Sequence, residues 1–310
     1  MSQVQVALLN AADWVVPDLA SAGDRLVELL PELRATGLAR IPEHDFDSVF
    51  LRGTADHAVA PTRFQLVALP EEPAGPADGC AWAPFQPMQD LQGRAREQRI
   101  HGTVLAVHDF DGAVAGLRDR GVAVHVEHEC EHLPYRRAWI GWSGRDRVEG
   151  VDGGLFVEFI PLEVFPRAVR ESVTRPLSGP VPSLRVAGRV HLTGSLDASA
   201  AQLSEMVGLG EPERFEDELL GFRAARWRFL HPGSAVLVVA EAHGAGPAAD
   251  HLAAHGAGSW LTMIECAYVT TSATRAARSG AEVVVLPDDR IHVIDPVTGV
   301  RLELRKAAMG

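Results

Sequence analysis

The chain has 310 residues, of which 46% are hydrophobic, and a formal net charge of −12 at pH 7. This length and apolar content suit two domains with sizeable cores better than one. The acidic charge repels phosphate backbones, so nucleic acid is not expected as a partner. No stretch approaches the ~18 apolar residues that a membrane span needs, so no membrane partner is expected either.

The N-terminus and the cysteines favour a cytoplasmic location. Residues 1–6 contain no basic segment followed by an apolar run, and we therefore expect no signal peptide. Cys80, Cys130 and Cys266 are odd in number and scattered, which fits reduced thiols better than a disulfide framework. Lys306 is the only lysine, a bias that indicates a GC-rich bacterial genome.

The first half of the chain contains two similar successions of a strand, a helix and further strands. In the first quarter the predicted elements are Val4–Leu9, a helix with apolar residues spaced from Leu19 to Leu33, and strands Ser48–Arg52 and Arg63–Leu69. In the second quarter they are Ile100–Val107, a short helix that begins after Asp109 and that Gly121 ends, and strands Val122–Val126, Arg137–Trp142 and Leu155–Ile160. The stretch Pro70–Pro87 separates the two quarters.

The second half repeats this plan. The third quarter has strand Gly188–Thr193, helix Ser199–Val207 and strands Ala224–Phe229 and Ala235–Ala240. The fourth has strand Ile264–Thr270, helix Ser272–Ser279 and strands Glu282–Leu286, Arg290–Ile294 and Val300–Leu304. The proline-rich stretch Arg167–Gly188 is the predicted domain boundary. We therefore predict an N-terminal domain of residues 1–170 and a C-terminal domain of residues 185–310, each a pair of units.

The strand and turn residues of these units resemble the vicinal oxygen chelate superfamily. The resemblance is carried by Arg99–Ala113 and Asp152–Ile160, and by Met263–Ser272 and Asp295–Leu304 in the fourth quarter. The superfamily includes glyoxalase I, extradiol dioxygenases, methylmalonyl-CoA epimerase and bleomycin or fosfomycin resistance proteins. The resemblance implies an α+β fold of four βαβββ modules, paired into two domains with cupped mixed sheets. Four modules are similar to the extradiol and hydroxyphenylpyruvate dioxygenases.

The resemblance also implies a divalent metal (Fe, Mn, Ni or Zn) inside a cupped sheet, held by His and Glu from the first and last strands of a module. The corresponding first-strand positions are Gly102, Gly188 and Glu265. The last-strand positions are Glu158 and Glu303, with Leu237 or Val238 in module three. The ligand set is therefore incomplete. Candidate metal ligands in the C-terminal domain are Glu265, Glu303 and His191, and Glu158 marks a second pocket in the N-terminal domain.

Two carboxylates can work without a metal. If Glu265 and Glu303 share one apolar cavity, repulsion and desolvation raise the pKa of at least one, which suits proton transfer. They are therefore the candidate catalytic residues. The alternative is that each is a polar residue paired with arginine. By alternation along its strand, His191 points away from the face of Gly188, so it becomes a ligand only through a bulge.

A dense run of histidine and acidic residues, His125–His132, lies after the second module's helix. Its letters include His-Glu-x-x-His, but the segment follows alternating valines and is strand-like, whereas zinc binding by that motif requires a helix. We expect a solvated, acidic hairpin end. His101 and His108 flank the preceding strand and are expected to be structural or exposed.

The sequence leaves two functions possible. A third possibility is a non-catalytic scaffold whose pockets are filled by side chains. The favoured one is an enzyme, a lyase, isomerase or dioxygenase-like protein, acting on a small oxygenated organic molecule in the C-terminal cavity, by metal-independent acid–base chemistry if no metal is bound. The alternative is a non-catalytic small-molecule binding or drug-sequestering resistance protein, which the glycines Gly102 and Gly188 favour because they enlarge a cavity. A small-molecule ligand or substrate is the expected partner. The sequence leaves it undecided whether the chain forms a homodimer.

Overall fold

A computed structural model describes residues 3–41, 46–53, 58–68, 102–131, 133–144, 146–175 and 183–307. The predicted connection Pro70–Pro87 lies outside these ranges, and so do Cys80, His101 and His132. The described part is a mixed α+β structure with six α-helices and several sheets. None of its helices combines the length and the apolar character needed to cross a membrane.

The first unit forms a four-stranded sheet with one helix. Its elements are β1 (Val6–Leu9), β2 (Ala11–Val15), α1 (Leu19–Leu29), β3 (Arg34–Ile41), β4 (Phe46–Arg52) and β5 (Arg63–Ala68). The sheet order is β2–β5–β4–β3, with β2 parallel to β5. Helix α1 begins at Asp18, whose side chain accepts a hydrogen bond from the Ser21 backbone N–H. Its leucines lie at helical spacing and are buried, as the sequence predicted.

The second unit supplies most of a five-stranded sheet. Its elements are β6 (Thr103–Val107), α2 (Phe110–Asp119), β7 (Val124–Glu127), β8 (Arg137–Ile140), β9 (Trp142–Ser143), β10 (Asp146–Arg147) and β11 (Val157–Pro161), followed by α3 (Arg167–Ser172). The sheet order is β1–β6–β11–β8–β7, so β1 joins the two units. Asp109 caps α2 by accepting a hydrogen bond from the Gly112 N–H. Asp152 shapes the turn before β11 by accepting from the Val157 N–H.

The second half forms one eight-stranded sheet. Its elements are β12 (Leu184–Leu192), α4 (Leu196–Ala201), β13 (Glu213–Asp217), β14 (Phe222–Trp227), β15 (Val236–Ala242), α5 (Pro247–His255), β16 (Gly258–Cys266), α6 (Val269–Arg278), β17 (Glu282–Val285), β18 (Ile291–Ile294) and β19 (Arg301–Lys306). The order is β13–β14–β15–β12–β16–β19–β18–β17. Strands β12 and β16 pair antiparallel at the centre, and each is parallel to the last strand of its own unit. The predicted βαβββ modules are thereby confirmed.

The N-terminal and C-terminal sheets are joined by buried polar contacts. The Arg189 guanidinium lies 2.5 Å from an Asp13 carboxylate oxygen, and both side chains are almost fully buried. Arg189 also donates to the Gly102 carbonyl, and Trp14 Nε1 donates to Thr262 Oγ1 at 2.8 Å. Breaking a buried pair of this kind leaves an uncompensated charge, so these contacts hold the two halves together.

Candidate functional site

The eight-stranded sheet curls until its two ends meet. Asp217 ends β13 at one end of the sheet, and Arg290 precedes β18 near the other end. Their side chains nevertheless form an ion pair, with Nη1 and Oδ2 2.5 Å apart. Strands this far apart in a sheet contact each other only if the sheet is strongly curved. The sheet therefore encloses a cup on the face opposite the core that packs around α4 and α6.

Glu303 lies inside this C-terminal cup. Leu302 and Leu304 on either side of it belong to the core that includes α6, so alternation directs Glu303 to the opposite face. Its side chain is 1% exposed. Across the sheet it is paired with Met263 on β16 and with His292 on β18. The predicted orientation of Glu303 thus agrees with the structure.

Three side chains contact the Glu303 carboxylate. His292 Nε2 lies 3.1 Å from Oε2, and Arg290 Nη1 donates to the same oxygen at 3.2 Å. Arg305 Nε donates to Oε1. Burial, the largest single influence, raises the pKa of Glu303, but the His292 hydrogen bond and the charges of Arg305 and Arg290 together outweigh it and lower the pKa. Glu303 is therefore an ionised carboxylate at neutral pH, and the expected upward shift is wrong for this residue.

Glu265 lies on the same face but in a different ion pair. It is flanked by Ile264 and Cys266 of the helix-side core, and its neighbour on β12 is Arg185. Arg185 Nη2 lies 2.7 Å from Glu265 Oε2, and the Glu265 side chain is 21% exposed. The two carboxylates are therefore in separate ion pairs, although Arg305, which contacts Glu303, lies opposite Glu265 in the pairing of β16 with β19. The alternative reading, in which each carboxylate is paired with arginine, describes both.

The strand pairing corrects the register that the sequence suggested for module four. Gly188 pairs with Val236 in module three, and Met263 pairs with Glu303 in module four. Gly188 and Met263 also pair with each other across the antiparallel centre. The residue of module four that corresponds to Gly188 of module three is therefore Met263, which lies two residues before Glu265. In the same way, the residue of module three that corresponds to Glu303 is Val236, and not Leu237 or Val238.

In module two the offset is also two residues but runs in the other direction, because Glu158 pairs with Val104, two residues after Gly102. His191 has no place in the cup. Its neighbours Val190 and Leu192 pack in the apolar cluster that contains Met263, so His191 points to the opposite face. Burial, followed by the nearby Arg189 charge, lowers the pKa of His191 to about 3, so the imidazole is neutral.

The most informative residues missed from the sequence are His292 and Arg290. Ile291 and Val293 between and beside them belong to the helix-side core. Alternation in Arg290–Val293 therefore placed a histidine and an arginine on the face of Glu303. This signal was present in the sequence, but only the pairing of β18 with β19 shows that His292 lies directly opposite Glu303.

The divalent metal that the resemblance implies does not fit the side chains around Glu303. Arg290 and Arg305 occupy both carboxylate oxygens, and their positive charges repel a dication. Gly188 and Met263, which occupy corresponding positions in modules three and four, offer no imidazole or carboxylate. Within the ranges that the structure describes, no three His, Cys, Asp or Glu side chains form a group that could hold a metal. A metal therefore has no step in the chemistry proposed below.

A second polar cluster lies in the N-terminal half around Glu158. This residue is on β11, is 6% exposed, and pairs with Trp139 on β8. Burial raises the pKa of Glu158 to about 8, with Arg137 opposing and Glu127 reinforcing the shift. Glu127 lies 3.0 Å from the Arg137 guanidinium and accepts a hydrogen bond from Trp139 Nε1.

The run His125–His132 is only partly the solvated hairpin end that we expected. His128, Glu129 and Glu131 are exposed, whereas Glu127 is buried against Arg137. The buried carboxylate belongs to the N-terminal polar cluster, because the side chain alternates onto the face of Glu158. The expectation was therefore wrong for Glu127.

Comparison with solved structures identifies the fold. A triple mutant of 4-hydroxymandelate synthase from Streptomyces coelicolor matches with a TM-score of 0.57 and 15% identity, over 100% of this chain and 95% of that one. A hypothetical protein from Staphylococcus aureus matches with a TM-score of 0.52 and 10% identity, over 96% and 98%. Methylmalonyl-CoA epimerase matches with a TM-score of 0.37 and 16% identity, over 54% and 100%. No protein-family model and no curated protein sequence matches the chain.

The two likenesses with TM-scores above 0.5 confirm the predicted resemblance at the level of architecture. The protein has the vicinal oxygen chelate fold, in the four-module form. At such identities the likeness shows the fold alone, and one fold carries many chemistries.

Proposed function

We propose that the protein acts on a small oxygenated organic molecule in the C-terminal cup by metal-independent acid–base chemistry. The observation that carries this proposal is the buried Glu303–His292 pair, with 3.1 Å between Oε2 and Nε2. A carboxylate only accepts hydrogen bonds, so Nε2 carries the proton in this pair. That tautomer leaves the Nδ1 lone pair of His292 as the group that takes a proton.

The flanking cations define the reaction class that suits this pair. When His292 Nδ1 removes a proton from a carbon next to a carbonyl, the C–H electron pair moves onto the carbonyl oxygen as an enolate. Arg305 is the more exposed of the two arginines on Glu303 and is the group to stabilise that charge. Arg290 is tied to Asp217 and Asp288 and holds the cup closed. Proton abstraction followed by reprotonation is an isomerase step, whereas expulsion of a leaving group from the neighbouring carbon, which departs with its bonding electron pair as the enolate's electrons form the new double bond, is a lyase step.

The test is proton exchange in heavy water. Small 2-oxo acids and hydroxyketones are incubated with the protein in D₂O, and the signal of the proton next to the carbonyl is followed by NMR. We expect the wild type to accelerate exchange, the His292→Gln variant to lose the acceleration, and Glu282→Gln on the exposed edge strand β17 to retain it. Exchange at the wild-type rate in His292→Gln contradicts the proposal.

A second candidate is binding without chemistry. Beyond Glu303 the same face of the sheet carries a cluster of buried apolar side chains, among them Phe222, Trp260 and Met263. Phe222 and Trp260 meet edge to face with ring centroids 5.6 Å apart, which suits an apolar or aromatic ligand. Ligand recovered unchanged after saturable binding, together with no exchange of any probe in D₂O, favours this candidate over the enzyme.

A further inference from the structure

A cluster of buried and half-buried arginines, all with buried guanidinium N–H groups, lies in the N-terminal half, away from Glu303. We define the arginine cluster as Arg52 on β4, Arg63 on β5, Arg137 on β8, Glu158 on β11, and Tyr135 just before β8. The neighbours of the four strand residues along their strands pack in the helix-side core; they are Leu51, Phe64, Ala138, Val157 and Phe159. Alternation therefore directs the four side chains to the opposite face, where both modules of this half contribute.

The members of the arginine cluster are close enough to influence one another. The charges of Glu158, Arg137 and Arg63 all act on the Tyr135 hydroxyl. Arg52 in turn acts on Arg63. Glu158 faces Arg137 and Glu127 from the neighbouring strands. The titratable groups around Glu158 are thus these two residues and Tyr135, with Arg63 beyond it, so the cluster is continuous from β4 to β11.

Positive charge in the arginine cluster exceeds negative charge. Arg137 is paired with Glu127, but in the described part of the chain neither Arg52 nor Arg63 has a carboxylate partner. Arg63 donates to Asn10 Oδ1 at 2.5 Å and stacks 3.6 Å above the Phe50 ring, both of which are uncharged. Glu158 does not supply the missing charge, because burial keeps it protonated at neutral pH. An unbalanced, buried positive charge is unfavourable without an anion.

Several guanidinium N–H groups also lack acceptors. Among the residues that the structure describes, no hydrogen-bond acceptor reaches Arg52 Nε and Nη1, Arg63 Nε, or Arg137 Nε and Nη1. Arg137 is 2% exposed, so bulk water does not satisfy it. Buried donors without partners are rare in folded proteins, and clusters of them indicate a ligand or an ordered acceptor.

We propose that the arginine cluster binds a small organic carboxylate, held by Arg52, Arg63 and Arg137 beside Glu158. The planar guanidinium forks match the two oxygens of a carboxylate. A carboxylic acid beside them donates to an anion and does not repel it. The Phe50 ring under Arg63 and the Tyr135 ring favour a planar group behind the carboxylate. This site is separate from the C-terminal cup and does not depend on the function proposed there.

Calorimetric titration of the full-length protein with benzoate tests the site. Benzamide is the neutral control of the same shape. We expect benzoate to bind saturably at pH 6.5 and benzamide not to bind. At pH 9.5 the affinity for benzoate should be at least about tenfold lower, because ionised Glu158 then repels the anion. In Glu158→Gln, which keeps a donor but cannot ionise, this pH dependence should disappear.

A matched pair of arginine variants locates the binding. Arg52→Gln should weaken benzoate binding at least about tenfold, whereas Arg118→Gln on the exposed face of α2 should leave it unchanged. Equal affinity in the two variants, equal binding of benzamide, or no benzoate binding at all overturns the proposal. If Arg52→Gln does not fold, the pH series of the wild type and of Glu158→Gln decides: a pH dependence common to both also overturns it.

Discussion

The side chain of Met263 fills the space that any side chain at position 188 would need. A Cβ placed on Gly188 would lie 1.9 Å from Met263 Cε and 2.9 Å from Val236 Cγ2. From the sequence, Gly188 was expected to enlarge the cavity. The structure shows the opposite, because the methionine from the paired strand occupies the volume and closes the position to a metal-binding histidine.

This packing predicts that Gly188→Ala destabilises the protein. Overpacking a well-filled core costs about 1–3 kcal/mol, and here the methionine must move and Val236 must shift. The free energy of unfolding in urea measures the loss. Gly194→Ala is the matched control, since no atom lies within 4 Å of its added Cβ. Met263→Ala should cost less stability in the Gly188→Ala background than in the wild type, and equal destabilisation by both glycine variants contradicts the assignment.

Glu303 should stabilise the protein at neutral pH. Its carboxylate has a lowered pKa and is paired with Arg290, Arg305 and His292. A group of this kind contributes stability above its unfolded pKa, and the contribution is lost as the pH falls through the folded pKa. We expect Glu303→Gln to lower the free energy of unfolding by about 2–4 kcal/mol at pH 7 and by less near pH 3.

Urea unfolding at both pH values measures this difference, with Glu282→Gln on the exposed edge strand as the control. A difference between Glu303→Gln and the wild type that does not change with pH would show that the ionised carboxylate is not the stabilising form.

Much of the fold was readable because its signals are local. Asp109 and Asp152 sit at the predicted turns, and Gly121 and Gly280 follow the predicted helices. Strand β13 was missed, because Glu213–Asp217 is a largely exposed edge strand without apolar alternation. A half-solvated edge carries no pattern that separates it from a loop.

The site was only half readable, because its contacts depend on pairing between strands. Alternation gave the face of Glu303 correctly but could not say which residue of β16 lies opposite. A bulge between Val186 and Gly188 further shifts the register of the central pair. The arginine cluster draws on four strands, and no sequence spacing brings its members together.

The division into domains of residues 1–170 and 185–310 remains a prediction, and limited proteolysis tests it. Trypsin should cut first between Arg167 and Gly188, where Arg170 is exposed. The two fragments should stay together in gel filtration, because the buried Asp13–Arg189 pair and the Trp14–Thr262 hydrogen bond join the halves. Preferred cutting within Ile100–Ile160, with an uncut boundary, contradicts the division.

Glu158 should make the protein less stable as the pH rises. Its folded pKa, about 8, lies above the ordinary value of 4.5 because the carboxyl is buried. Between these values the folded state binds a proton that the unfolded state has released. The resulting stability is fully present below about pH 4.5 and is lost as the pH rises through about 8, a change of about 3–5 kcal/mol. Measuring the free energy of unfolding from pH 5 to pH 9 tests for this loss of stability.

Glu158→Gln removes the titrating group but keeps its shape, so this variant should lose most of the decline and exceed the wild type in stability at pH 9. Glu163→Gln, at an exposed position just after β11, is the control and should follow the wild type. A wild type whose stability rises from pH 5 to pH 8, or a Glu158→Gln variant that declines in parallel with it, would show that Glu158 is ionised in the folded protein. In that case the ionised Glu158 carboxylate repels an anion bound in the arginine cluster, and the three arginines alone hold that anion.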